Sequence, residues 1–292
     1  MVIGIVGLGL IGGSLGKALK AKTAHRVLGR DISEQAFLKA ELVGAVDGRL
    51  TDSNYPELDV LIYAVTPVAF VGADGAEKIA AHLKDGAVVM DLAGTKSVIV
   101  NEMNRLAIKY PQIEFVSAHP MAGKENSGIE YSSAALFEHA SVLLVPVKAG
   151  IETLARIKEF FLEVGFDYVR FTHAKEHDKI IAYTSQLPHV ISSCYIGSPT
   201  AELHSGFSAG SFRDISRVAK MSAGMWAELF TENGSNLISE LDGMIERLTI
   251  AREYIAVGDA EKLRAFLSQN SVKKESIDKD DRLWKKNHNE KK

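Results

Sequence analysis

The stretch Gly4 to Leu19, GIVGLGLIGGSLGKAL, constrains this chain more than any other. Gly7, Gly9 and Gly12 are spaced GxGxxG, directly after the apolar run VIGIV and at the opening of a helical pattern. In a strand–turn–helix unit the first glycine permits the tight turn and the second lets the backbone approach a pyrophosphate. The third lets helix and strand pack closely, with the phosphates at the helix N-terminus. Gly7, Leu8, Gly9, Leu10, Ile11 and Gly12 are therefore expected to surround a dinucleotide. The next strand, RVLGRD, ends on Asp31, whose carboxylate suits the adenosine ribose hydroxyls and repels a 2′-phosphate, so NAD is expected over NADP. Arg30 keeps NADP possible, because a guanidinium there can stack on adenine or accommodate a phosphate. Val65, Thr66 and Gly94, each just after a further strand, complete the expected cofactor contacts.

Short β-branched runs alternate with helical patterns through the first half: VIGIV, RVLG, DVLIYAV, AVVMDLA, IEFVSA, SVLLVP and DYVRFT. Continuous apolar strands separated by helices imply an α/β fold, a doubly wound and mainly parallel sheet covered on both faces. After Thr172 the strand signal stops and helical periodicity runs from about Lys175 to Phe266, interrupted by SGFSAGS. A dinucleotide-binding domain is expected over 1–172, an all-α C-terminal substrate and dimerisation domain over 173–280, and a charged tail over 281–292. The long amphipathic helices exceed what one small bundle needs, which points to a homodimer.

Composition removes several classes. A net charge of -3 over 292 residues is unlike a general nucleic-acid binder. One cysteine, Cys194, excludes an internal disulfide framework. No stretch approaches the roughly 20 apolar residues of a membrane span, and VIGIVG has no charged leader before it; a cytoplasmic protein with a small-molecule substrate, and no nucleic-acid or membrane partner, is expected.

In an open α/β sheet the ligand lies beyond the carboxyl ends of the strands. DLAGTK (Asp91 to Lys96) and AHPMAGKENSG both follow strands, so both loops belong on that side. His119 sits at the second strand end, where an imidazole suits general acid/base work.

HPMAGKENSG, then LFEHASVLLVP, HDKIIAYTSQLPHV and SGFSAGSFRDISRVAKMSAGMWAELF, resemble the prephenate dehydrogenase family, which includes arogenate and cyclohexadienyl dehydrogenases. The resemblance implies a Rossmann domain, an all-helical dimerisation domain, and NAD(P)-dependent oxidative decarboxylation of a cyclohexadienyl acid in tyrosine biosynthesis. It implies that His119 is the catalytic histidine that hydrogen-bonds the ring 4-hydroxyl, and that Arg217 binds the ring carboxylate, with Arg213 a basic neighbour. Arg213 and Arg217 are also spaced i, i+4, as on one helix face. His189 is implied near the substrate side chain, Trp226 near the pocket, and His177 with Asp178 in its polar wall. Three positions depart from the family pattern. Gly94 stands where serine is usual, leaving Thr95 or Ser97 as hydroxyl donors to His119. Lys124 replaces a common threonine, and Gln186 a common histidine. Lys124 would repel an ammonium, and Gln186 with His189 would bind a ketone, so prephenate is expected over arogenate. No regulatory domain is expected beyond the helical one, so tyrosine feedback would act at the active site.

Other readings stay open. HAKEH (His173 to His177) fits HxxEH, a zinc-hydrolase signature, although no metal is expected. An NAD-binding module without catalysis is a further alternative, while a 3-hydroxyacid dehydrogenase, which shares the plan but usually relies on a lysine in its helical domain, is disfavoured because the HPMAG and FRD motifs fit the tyrosine pathway better.

Overall fold

The computed structural model describes residues 1–289. Its sheet has eight strands: β1 (Val2–Val6), β2 (Arg26–Arg30), β3 (Gly48–Arg49), β4 (Val60–Tyr63), β5 (Val88–Asp91), β6 (Glu114–Pro120), β7 (Ser141–Lys148) and β8 (Tyr168–Phe171). Helices α1 (Leu10–Lys22), α2 (Glu34–Leu42), α3 (Pro67–Val71), α4 (Ala76–Ala80), α5 (Ser97–Lys109) and α6 (Ile151–Val164) accompany them. The strand order is β3-β2-β1-β4-β5-β6-β7-β8. The first six strands run parallel, so the order reverses between β1 and β4 and opens a crevice there.

Two features add detail to the mainly parallel sheet. β3 is a two-residue edge strand, Gly48–Arg49, too short to leave a pattern. β7 runs antiparallel to β6, because the loop between them returns without a crossover helix.

The apolar strands bury both faces. Ile3, Ile5, Val60, Ile62, Val88 and Met90 contribute to one core, which includes Leu15 and Leu19 of α1 and Ile157, Phe160 and Phe161 of α6. Leu61, Val89 and Phe115 contribute to the opposite core with Ile99, Met103 and Leu106 of α5. Side-chain parity along each strand thus assigns alternate residues to opposite layers. α2 starts where the Ser33 side chain accepts from the Ala36 amide.

No strand follows β8 among the described residues. Instead come α7 (Ala174–Ile181), a π-helical turn (Ala182–Gln186), α8 (Leu187–Ile196), α9 (Gly210–Ser216) and α10 (Ala223–Glu232). These pack within the same compact unit as the sheet, Met1–Gly234. The change at residue 172 is therefore one of secondary structure rather than of contacts. The second unit, from Ser235 onward, comprises α11 (Gly234–Ala256) for all but its first residue and α12 (Ala260–Asn289). It leaves Leu248 and Ile255 on α11, and Leu267 and Val272 on α12, exposed. The expected tail is helical through Asn289; residues 290–292 lie outside the described residues.

The glycine turn has tight steric demands. Gly7 has φ +90°, and a Cβ there would stand 2.5 Å from the Ala64 carbonyl oxygen. A Cβ on Gly12 would stand 1.9 Å from the Gly7 oxygen, so α1 meets β1 only without a side chain. Gly12→Ala is accordingly expected to lower stability by roughly 1 to 3 kcal/mol and to weaken dinucleotide binding. Thermal melts with and without NAD read both effects; an unchanged melt would contradict this account of the turn.

Candidate active site

The crevice holds two cavities. The larger, about 1000 Å³, includes Gly7, Arg30, Asp31, Thr51 and Val65 in its lining; the other, about 580 Å³, includes Gly9, Leu10, Ile11, Val65, Thr66, Gly94, His119, Lys124, Gln186, His189 and Arg217. Val65 borders both, so one extended ligand can bridge them. A dinucleotide fits this lining. A Cβ on Gly9 would meet nothing within 4 Å, and the first turn of α1 carries no acidic residue and no side-chain cap, which leaves its amides for a phosphate. The Leu8 side chain is wholly buried, so its contribution is its main chain. Its amide donates to Asp31 Oδ2 at 2.7 Å, and the Ser33 amide donates to Oδ1 at 2.8 Å. The carboxylate is held in place with lone pairs left for ribose hydroxyls. Arg30 donates to the Tyr55 hydroxyl at 2.7 Å, which ties its guanidinium beside Asp31.

His119 closes β6 and faces the smaller cavity. Its Nδ1 lies 2.8 Å from His177 Nε2, and His177 Nδ1 lies 2.8 Å from Asp178 Oδ1. Asp178 also receives the Lys96 and Ser97 amides, each at 2.8 Å, at the start of α5. Burial works against its charge, but the hydrogen bonds from His177, Ser97 and Lys96 outweigh this and hold the carboxyl below the ordinary range. An ionised Asp178 only accepts, so His177 carries its proton on Nδ1 and accepts at Nε2. His119 must then donate from Nδ1, which leaves Nε2 bare and the one ring nitrogen free for a substrate proton. Burial, with the His177 ring and the Lys96 ammonium behind it, pushes His119 well below the usual histidine value of 6.5. At neutral pH it is therefore a free base.

Thr95 does not join this network. Its hydroxyl donates to Glu232 Oε2 at 2.7 Å, and its side chain is buried away from the cavity, which corrects its assignment as the donor to His119. Gly94 lines the cavity against Leu229 and brings no hydroxyl. His177 and Asp178 are also relocated, being buried behind His119 rather than in the cavity wall.

The substrate wall comes from α8, α10 and the segment after α9. In the helix following the π turn, Pro188 has no amide to donate, and the His189 Nδ1 pairs with the Ser185 carbonyl at 2.8 Å. The His189 ring stacks on Trp226 with centroids 3.8 Å apart. With its proton on Nδ1, neutral His189 offers Nε2 as an acceptor, not the donor a ketone needs. Gln186 lines the cavity, but its amide donates to the Leu229 carbonyl at 3.0 Å and accepts from Asn233 at 2.7 Å; its main work is fixing the end of α10. Arg217 lines the cavity and pairs with Glu125. Arg213 is exposed and outside that lining, because α9 ends at Ser216 and Arg217 begins a 3-10 turn, which breaks the expected shared face. Lys124 lines the cavity, yet its ammonium donates to the Tyr131 carbonyl at 3.2 Å, while Glu125 is the residue paired with Arg217.

Comparison with known proteins agrees with this geometry. Residues 15–169 match the model of the prephenate dehydrogenase nucleotide-binding domain, and 173–269 that of the prephenate dehydrogenase dimerization domain. The chain belongs to the prephenate dehydrogenase family. It is 33% identical over 271 residues to a cyclohexadienyl dehydrogenase of Zymomonas mobilis, covering 89% of this chain and 90% of that one. It is 29% identical over 269 residues to a prephenate dehydrogenase of Bacillus subtilis, covering 89% and 71%. Among solved structures, prephenate dehydrogenase from A. aeolicus in complex with hydroxyphenyl propionate and NAD+ superposes with a TM-score of 0.80. The two are 27% identical, with 95% of this chain and 98% of that one covered.

The HxxEH reading does not fit the family or the geometry. His177 has both ring nitrogens engaged, Glu176 accepts from Thr172, and among the described residues no group of three or more His, Cys, Asp or Glu is arranged to hold a metal.

Sequence reasoning overlooked Lys96, Asp91 and Glu232. Lys96 is wholly buried, its ammonium donating to Asp91 and to the Ala118 carbonyl at 2.7 Å. The one signal for it was the spacing in DLAGTK, which reads as an ordinary helix approach.

His119 and His177 are both pushed below 6.5, chiefly by burial. Between the lowered folded values and 6.5 the unfolded chain binds more protons than the native one. Stability is thus full above 6.5 and is lost as pH falls from there through the folded values. Melting temperatures between pH 8 and 5 are expected to decline below about 6.5. In His119→Asn the decline should be shallower; an equally steep decline would contradict a neutral buried His119.

Proposed function

We propose that the protein is a prephenate dehydrogenase, catalysing NAD-dependent oxidative decarboxylation of prephenate to 4-hydroxyphenylpyruvate in tyrosine biosynthesis. The observation that carries the reading is the bare His119 Nε2, backed by His177 and Asp178, in a cavity that also presents Arg217 and adjoins the dinucleotide crevice. NAD, when bound, supplies the hydride acceptor.

His119 Nε2 takes the proton of the ring 4-hydroxyl as hydride leaves the same carbon, and the carbonyl forms. The imidazolium that results is stabilised through His177 by the Asp178 carboxylate, as in other imidazole–carboxylate pairs. The new dienone makes the C1 carboxylate a good leaving group. The C1–carboxylate bond breaks, CO2 departs, and its electron pair enters the ring. The former carbonyl oxygen becomes the phenol oxygen and recovers its proton from His119. Arg217 binds a substrate carboxylate in exchange for Glu125. Leu229, Met225 and Trp226 keep the ring in apolar surroundings.

Glu125 favours a second substrate beside the first. Once a carboxylate replaces it on Arg217, its own charge is released at the cavity wall, where the arogenate ammonium can meet it. His189 Nε2 is an acceptor for the same group. Oxidation of both acids fits these residues better than strict exclusion of arogenate.

The exposed apolar side chains of α11 and α12 support a homodimer, as does the dimerization-domain match. Among the described residues no helix is long and apolar enough to cross a membrane.

His119→Asn is expected to lose roughly two to four orders of magnitude in kcat, the range for a general base, with NAD affinity unchanged. The assay follows absorbance at 340 nm with prephenate and, in parallel, arogenate. Wild-type turnover of neither acid, or a variant as fast as wild type, would overturn the reading.

A further inference from the structure

Lys96 is a lysine with no solvent exposure, placed in the turn between β5 and α5. Around it lies a closed buried network. The ammonium donates to Asp91 and to the carbonyl of Ala118, the residue before His119. Asp91 also receives the Ser117 hydroxyl and, at 2.9 Å, the Ala93 amide. The Lys96 main-chain amide donates to Asp178, which holds His177, which holds His119. One residue thus reaches the imidazole from two directions, by side chain along β6 and by main chain through α7.

A buried ion pair is weak evidence for stability, because taking two charges from water costs about as much as their attraction returns. An apolar pair of similar volume would fill the same space. The geometry calls for another reason to keep a cation at this point.

We propose that Lys96 is the positioning residue of the catalytic base: its ammonium fixes the β6 backbone under His119, and its main-chain amide holds the Asp178–His177 pair behind the ring. This rests on the reading of His119 as the base. Burial pushes the ammonium itself down from the usual lysine range, and Asp91 opposes that. The groups facing His119 are His177 and Asp178 from α7 and Lys96 from the β5–α5 turn. Across the cavity are Lys124 and Glu125 from its own loop, His189 from α8 and Arg217 after α9. Burial, then the His177 ring, then the ammonium disfavour the imidazolium, and Asp178 favours it. Removing the ammonium therefore raises the proton affinity of His119.

The test compares the pH dependence of kcat/KM for wild type, Lys96→Met and the double variant Asp91→Asn/Lys96→Met, which leaves no orphaned charge. Folding is checked by circular dichroism and NAD affinity by fluorescence titration. The acid limb of the profile is expected to move up by about one pH unit in Lys96→Met. In the double variant it moves the same way by less, and kcat falls about tenfold or more in both as the ring loses its anchor. NAD affinity stays the same. Folded variants whose acid limb stays at the wild-type pH would overturn the proposal, as would a chain that folds in neither, which would assign Lys96 to folding. An active His119→Asn enzyme would instead defeat the reading of His119, so the two failures are distinguishable.

Discussion

The carboxylate of Asp178 is the constraint on which the site depends. It takes two main-chain amides at the opening of α5 and the Nδ1 proton of His177. A helix N-terminus attracts an anion, and a buried anion needs several donors to stay charged. Both needs are met by the same group. Because the α5 amides keep Asp178 ionised, it can only accept, and the tautomers of His177 and His119 follow. A fold contact between the sheet domain and α7 thereby becomes a chemical instruction to the base.

The dinucleotide crevice was legible in the sequence because its constraint is local. Gly12 is demanded by the Gly7 oxygen within the same strand–turn–helix unit, Gly7 by its own positive φ, and Asp31 by its position at the next strand end. His119 was legible for the same reason, as a strand-end residue. Its partners were not. His177 and Asp178 lie 58 and 81 residues from the groups they serve, on a helix whose HAKEH pattern suggests a metal site when taken alone. Thr95 shows the converse failure: adjacency to Gly94 made it the natural hydroxyl donor, yet its rotamer turns toward Glu232 of α10. Arg213 failed because i, i+4 spacing implies a shared face only while the helix continues.

Charge in the cavity is arranged for exchange rather than for a single occupant. Glu125 and Arg217 pair with one another in the free protein, and in the proposed reaction a substrate carboxylate substitutes for Glu125. Lys124 lines the same cavity and donates to the Tyr131 main-chain carbonyl. His119 stands apart from this exchange, its neutrality set from behind by burial, His177 and Lys96. The proposed reaction thus assigns binding and proton transfer to separate groups on separate elements.

The central claim is that Asp178 and His177 leave His119 with a proton on Nδ1 and a bare Nε2. Nitrogen-15 NMR of histidine-labelled protein at pH 7, with His119 assigned by loss of its signals in His119→Asn, reads the tautomer directly. The account predicts a protonated Nδ1 and an unprotonated Nε2 for His119. A proton on Nε2, or a fully protonated ring at that pH, would contradict it.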